Sequence, residues 1–280
     1  MMVVPPDLDA VQAALRRETG RLTALLTPDA DLAAPVPGLA WNAGQVVAHL
    51  CVVYRAFGDA MRGETLAPGP ETATDEHDLA AFVADLNNRV VEQVSFAGPR
   101  EAAETLAYAA GDLLSAFEPG LDPLADRPTP WYGPGLTRTV GTLAALTVSE
   151  SLVHGYDLAS ALRTTRHLDR RSAAAIAPTV MSEMLPLLVD RRAARAAAVA
   201  FEVRVRGGRP FVLRVANGIA RAERADGQDV DCVLSLSADS ALLVGFRRQP
   251  LWRAVAGGSI VAYGRRPWLG LRFPALFRSA

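Results

Sequence analysis

The hydrophobic period of this chain changes once, near Ala198, and that change limits the fold more than any other feature. Before it, apolar residues recur three and four apart; beyond it, they alternate. Helices first and strands afterwards read as an α+β protein. At 280 residues the chain is long enough for two cores. The pattern divides it into a helical unit over residues 1–168 and, over 169–280, a linker helix followed by a small α+β unit.

In the first unit Leu8, Val11, Leu15, Leu22, Leu25 and Leu26 mark a helix that stops before Pro28. Asn42 is a suitable N-cap for a second helix reaching about Met61, with Val46, Val47, Leu50 and Val53 as its apolar stripe. A third is predicted over 78–94 through Leu79, Phe82, Leu86 and Val90, and a shorter one over 100–117. Five prolines and three glycines make 118–137 a long loop, a length of irregular chain that is often functional. Helical spacing returns over 139–162 and again over 170–189.

Past Ala198, Phe201, Val203 and Val205 lead through Gly207-Gly208 to Phe211, Leu213 and Val215, which predicts a hairpin. Cys232, Leu234 and Leu236 form another strand pattern. Short helices are expected over 240–245 and 252–256, a strand over 259–263, and a terminal helix ending near Phe277. Trp252, Tyr263, Trp268, Phe273 and Phe277 are read chiefly as core, with an apolar ligand pocket as the alternative.

Half the residues are hydrophobic and 21% are charged, ordinary usage for a chain that folds unaided. There is neither a signal-like start nor an apolar run approaching ~20 residues, so no membrane is expected as a partner. Cys51 and Cys232 lack ligand spacing and read as small buried hydrophobes, which points to a reducing, cytoplasmic location. All 29 basic residues are arginine. Seven of them, with no acid, fall between Ser240 and Ala280, against 22 arginines and 30 acids before. The acidic bulk and the absence of a binding motif argue against nucleic acid.

Glu150 and His154 stand four apart on one helix, so their side chains share a face among Val148, Leu152, Val153 and Leu158. A carboxylate in such surroundings is costly unless paired or metal-bound. His49 lies in an equally apolar stretch of the second helix. Two histidines and a carboxylate from facing helices suit a divalent metal with a fourth position open. The same spacing also serves a simple i, i+4 hydrogen bond, and His49 alone a core histidine. His77 and His167 lie in polar segments and read as solvated.

Two stretches carry a resemblance. Pro37-Gly38-Leu39-Ala40-Trp41, followed by His49-Leu50, resembles the Pro-Gly-Trp and His-Leu signature of the mycothiol-dependent maleylpyruvate isomerase family, part of the DinB-like metalloprotein superfamily. Glu150, His154-Gly155 and Asp157-Leu158-Ala159 are similar to its second motif. The resemblance covers most of residues 7–165, and the tail resembles the sterol-carrier-type domain found in many members. It implies a DinB-like antiparallel four-helix bundle in which His49, Glu150 and His154 hold a divalent metal, zinc foremost, though nickel, iron or manganese suit the same donors. Asp157, one turn on, is placed to orient a ligand imidazole or else to cap the surface.

The implied activity is that of a thiol enzyme: mycothiol, activated at the metal, adds to a small electrophile, ending in isomerisation or in S-transfer. The alternative is a non-catalytic metal-binding sensor or regulator. The departures, Leu39-Ala40 lengthening Pro-Gly-Trp and Tyr156 standing where tryptophan is common, touch the substrate side rather than the ligands. Oligomeric state is left open.

Overall fold

The computed structural model describes residues 2–64, 79–133 and 135–278; His77 lies outside them. Its first part holds α1 (Leu8–Leu25), α2 (Ala43–Arg62), α3 (Leu79–Val91), α4 (Pro99–Ser115), a two-stranded ladder β1 (Asp126–Pro128) and β2 (Thr137–Thr139), α5 (Val140–Ala161) and α6 (Arg170–Met184). α1, α2, α4 and α5 pack as a four-helix bundle, and α3 lies outside it against α2. α5 is buried almost all round, which makes it the central helix.

The caps follow from the sequence. Asn42 accepts from Gln45 N while Gln45 Oε1 accepts from Asn42 N, each at 2.9 Å, a closed capping box that fixes where α2 begins. Thr139 Oγ1 accepts from Thr142 N at the start of α5. α6 keeps Pro178 in its interior and gives way at Met184 to a 3₁₀ turn, short of the predicted 189. The 118–137 segment is loop for most of its length, but pairing of Asp126–Pro128 with Thr137–Thr139 folds it back on itself.

The second part is a five-stranded sheet in the order β5-β4-β3-β6-β7. It is built from β3 (Ala198–Val205), β4 (Phe211–Ala216), β5 (Ile219–Arg224), β6 (Cys232–Leu236) and β7 (Ile260–Tyr263), with α7 (Ala238–Gly245) and α8 (Leu251–Ala256) between β6 and β7. β3 and β6 are parallel and the other pairs antiparallel. Phe201, Val203, Phe211, Leu213, Cys232 and Leu234 are all buried, and Phe273 meets Phe201 edge to face.

Four readings need correction. β5 was not anticipated; Asn217 (φ 53°) and Gly218 (φ 77°) turn the chain straight into it. The terminal helix is two 3₁₀ turns, Pro267–Leu271 and Phe273–Leu276, since Pro267 and Pro274 punctuate it. Trp252, Tyr263 and Trp268 are exposed rather than core, whereas Phe273 and Phe277 pack against the core. α6 touches α1 and α5 on one side and α7 on the other, so the helix read as a linker belongs to both packings.

Candidate metal centre

α2 and α5 face each other at the middle of the bundle and bring together His49, Glu150 and His154. Glu150 Oε2 is 3.1 Å from His49 Nε2 and 3.2 Å from His154 Nε2. The donor atoms of the three residues lie within 4.8 Å of one another. Donors about 2 Å from a shared zinc ion stand roughly 3.3 Å apart when tetrahedral, close to the two separations about Glu150. The donor set also fits, two imidazole nitrogens and one carboxylate oxygen, all borderline or hard.

The protonation pattern without a metal follows from burial and pairing. Burial would raise the Glu150 pKa, but hydrogen bonds from His154 and His49 outweigh it and hold the carboxyl well below the usual range. Burial dominates at His49 and lowers its pKa, its bond to Glu150 notwithstanding. His154 is buried too, yet its bonds to Asp157 and Glu150 raise its pKa to about 9. The trio therefore carries its proton on His154.

Asp157 stands where the helical spacing puts it, with Oδ2 3.0 Å from His154 Nδ1. The Nδ1 proton of His154, donated to Asp157, holds Nε2 toward Glu150 and the common point, where the Nε2 proton must leave before a metal can be bound. Asp157 is in turn gripped by Arg248, whose Nε donates to Oδ1 at 3.0 Å and Nη2 to Oδ2 at 2.6 Å. In the sequence Arg248 is one of the seven arginines of the tail, with no sign that it belongs to the site. Nothing in its local pattern names a carboxylate 91 positions earlier as its partner.

A second residue that the sequence does not mark as part of the site is Trp41. Pro35 bridges to Asn42, and Val36 N bonds Trp41 O, so the loop closes into a tight turn. This sets the Trp41 ring 5.1 Å from His49 and 5.9 Å from His154. Its indole N–H donates to Asn88 Oδ1 on α3 at 2.8 Å. Trp41 is thus an apolar wall over both imidazoles. Beside Asp157 a cavity of about 430 Å³ is lined by Gly38, Tyr156, Ser160, Arg166, Arg247 and Arg248, among others. His167 is exposed, as expected, and both cysteines are free and buried; burial pushes the Cys51 thiol up to about 12, so it is no nucleophile.

A helical bundle whose interior presents two histidines and a carboxylate from facing helices is a recognisable class of protein. Within that class, the model of the mycothiol maleylpyruvate isomerase N-terminal domain matches residues 13–159, more than half of the chain, and the chain belongs to this family. Among solved structures, a mycothiol-dependent maleylpyruvate isomerase aligns with TM-score 0.53 at 14% identity, covering 93% of this chain and 96% of that one. A point mutant of the isomerase aligns equally well, at 13% identity. At such identities the likeness concerns the fold. A UbiJ-SCP2 ubiquinone synthesis protein covers 35% of the chain with TM-score 0.30, too loose to assign the fold of the C-terminal part. Curated protein sequences give no match.

Proposed function

We propose that this chain is a metal-dependent thiol enzyme, with His49, Glu150 and His154 as ligands of a divalent metal, zinc foremost, and mycothiol as the thiol. The observation that supports this best is the convergence of the three donors around Glu150, backed by the Asp157 carboxylate at 3.0 Å from His154. A divalent ion there would keep a coordinated thiol deprotonated, whereas a free thiol of pKa ~8.5 is only a few per cent thiolate at neutral pH.

The protein's own groups do the rest. Asp157 fixes the tautomer of His154, and Arg248 fixes Asp157. Trp41 covers the imidazoles and excludes water from one side. Arg166, whose guanidinium lies over the Tyr156 ring, and Arg247 border the neighbouring cavity and have no ion-pair partner among the described residues, which leaves their charge available to an anionic electrophile. The outcome, isomerisation or S-transfer, depends on whether the thiol leaves again.

In this reading residues 1–168 form the metal-binding unit and 169–280 a second domain that reaches back through Arg248, and the protein works in a reducing cytoplasm. Calorimetric titration of the metal-loaded protein with mycothiol, in buffers of different ionisation enthalpy, tests it. Binding with release of about one proton per thiol is expected. Metal uptake without thiol binding would instead support a non-catalytic metal-binding regulator.

A further inference from the structure

Most of the large apolar side chains exposed among the described residues fall between Trp252 and Leu271: Trp252 (66%), Val255, Val261, Tyr263, Trp268 (59%) and Leu271 (67%). The topology gathers them. β7 is the outermost strand of the sheet, and both α8 and the 267–271 turn pack against it. Ile260 and Ala262 are paired with Leu236 and Leu234 of the core face, which leaves Val261 and Tyr263 on the opposite, open face. Gly270 lies so close to Ala262 that a Cβ would come within 2.5 Å, which seats the 267–271 turn, with Trp268 and Leu271, on the core-face side of the strand. The sheet edge is therefore flanked by exposed apolar groups on both sides.

The same window carries Arg253, Arg265, Arg266 and Arg272; Asp231 pairs with Arg265 and stands 3.6 Å from Arg266, whereas Arg253 and Arg272 have no ion-pair partner among the described residues. Arg253 lies over the Trp252 ring and Arg204 over that of Tyr263. Scattered apolar residues on a surface need no explanation, but a run concentrated along one edge marks an interaction site. A second copy meeting this edge across a two-fold axis would set its arginines against their own images, an unfavourable match. Rings that are apolar in body and polar at the tip, with arginines on apolar stems, suit the boundary of an anionic bilayer.

We propose that the β7 edge, with Trp252, Trp268 and Leu271 as its apolar contacts and the unpaired Arg253 and Arg272 as its main charges, docks the protein peripherally on anionic lipid. This reading stands apart from the metal centre and revises the expectation that no membrane is a partner. No helix among the described residues is long and apolar enough to cross a membrane, and docking at the interface needs none.

Co-sedimentation of the full chain with vesicles of phosphatidylglycerol and phosphatidylcholine, against phosphatidylcholine alone, is the test. Binding is expected to the anionic vesicles only, with tryptophan emission moving to the blue and release at high salt. An arginine near such a surface is worth about five-fold in binding, so the double substitution Arg253→Gln/Arg272→Gln, which breaks no ion pair, should weaken it about 25-fold. Trp268→Ala/Leu271→Ser should weaken it at low salt too, whereas Arg16→Gln on α1 should not. Because these side chains are exposed, thermal midpoints close to the wild type will show the variants folded. Equal binding to neutral vesicles, no binding to anionic ones, or light scattering showing a dimer that Trp268→Ala/Leu271→Ser dissolves would each overturn the proposal.

Discussion

Replacing Arg248 by methionine keeps most of its aliphatic volume and removes one end of the contact between the tail and the metal centre. Asp157 is only 2% exposed and Arg248 15%, and the pair is bidentate. Breaking a buried pair from one side costs about 3–5 kcal/mol, because the remaining charge stays buried. His154 still donates to Asp157, so the lower end, about 3 kcal/mol, is expected. For a chain of this size that corresponds to a fall in Tm on the order of 6–10 °C. A double-mutant cycle with Asp157→Asn should return a coupling of at least about 2 kcal/mol.

The pH dependence has a definite sign. Burial opposes ionisation of Asp157, but bonds from His154 and Arg248 hold its pKa below the ordinary value. Its contribution is therefore complete above the unfolded pKa of about 3.9 and is lost as pH falls through the lower folded one. The gap between wild type and Arg248→Met should be constant from pH 6 to 8 and narrow below about pH 4. Urea unfolding followed by circular dichroism measures all of this. A variant within about 1 °C of wild type, with no coupling to Asp157→Asn, would refute the assignment of Arg248 as the residue that positions Asp157.

Three other predictions follow from single features. Since the His154 pKa is raised to about 9, metal binding at pH 7 should release about one proton, and apparent affinity should fall about ten-fold per pH unit below 9; calorimetry in two buffers reads the proton. Gly218→Ala should cost about 1–3 kcal/mol, because φ is +77° and the new Cβ would stand 2.9 Å from Arg191 O, and the urea midpoint checks it. Cys51 and Cys232 should resist alkylation in the native protein and react only on unfolding, as mass spectrometry after iodoacetamide treatment will show.

Local patterns revealed what local physics decides. Asn42 caps α2 because its side chain needs only Gln45, and α5 carries Glu150 and His154 on one face because helical spacing puts them there. What escaped depended on distant partners. Arg248 reads as one of seven similar arginines until the fold sets it against Asp157, and Trp41 as part of a motif until its loop closes over the imidazoles. β5 was missed because Ile219–Arg224 pairs only with β4 at the sheet edge, where polar residues alternate with small ones. Hydrophobicity puts Trp252 and Trp268 in the core, but it says nothing about whether a sheet edge is covered.

The central claim is that His49, Glu150 and His154 hold a metal, and the most direct measurement is the metal content of the purified protein by mass spectrometry beside His49→Ala and His154→Ala. About one divalent ion per chain in the wild type, lost in both variants while their circular dichroism stays native, is the predicted result. A wild type that holds no ion and cannot be reconstituted with zinc, nickel, iron or manganese would contradict it.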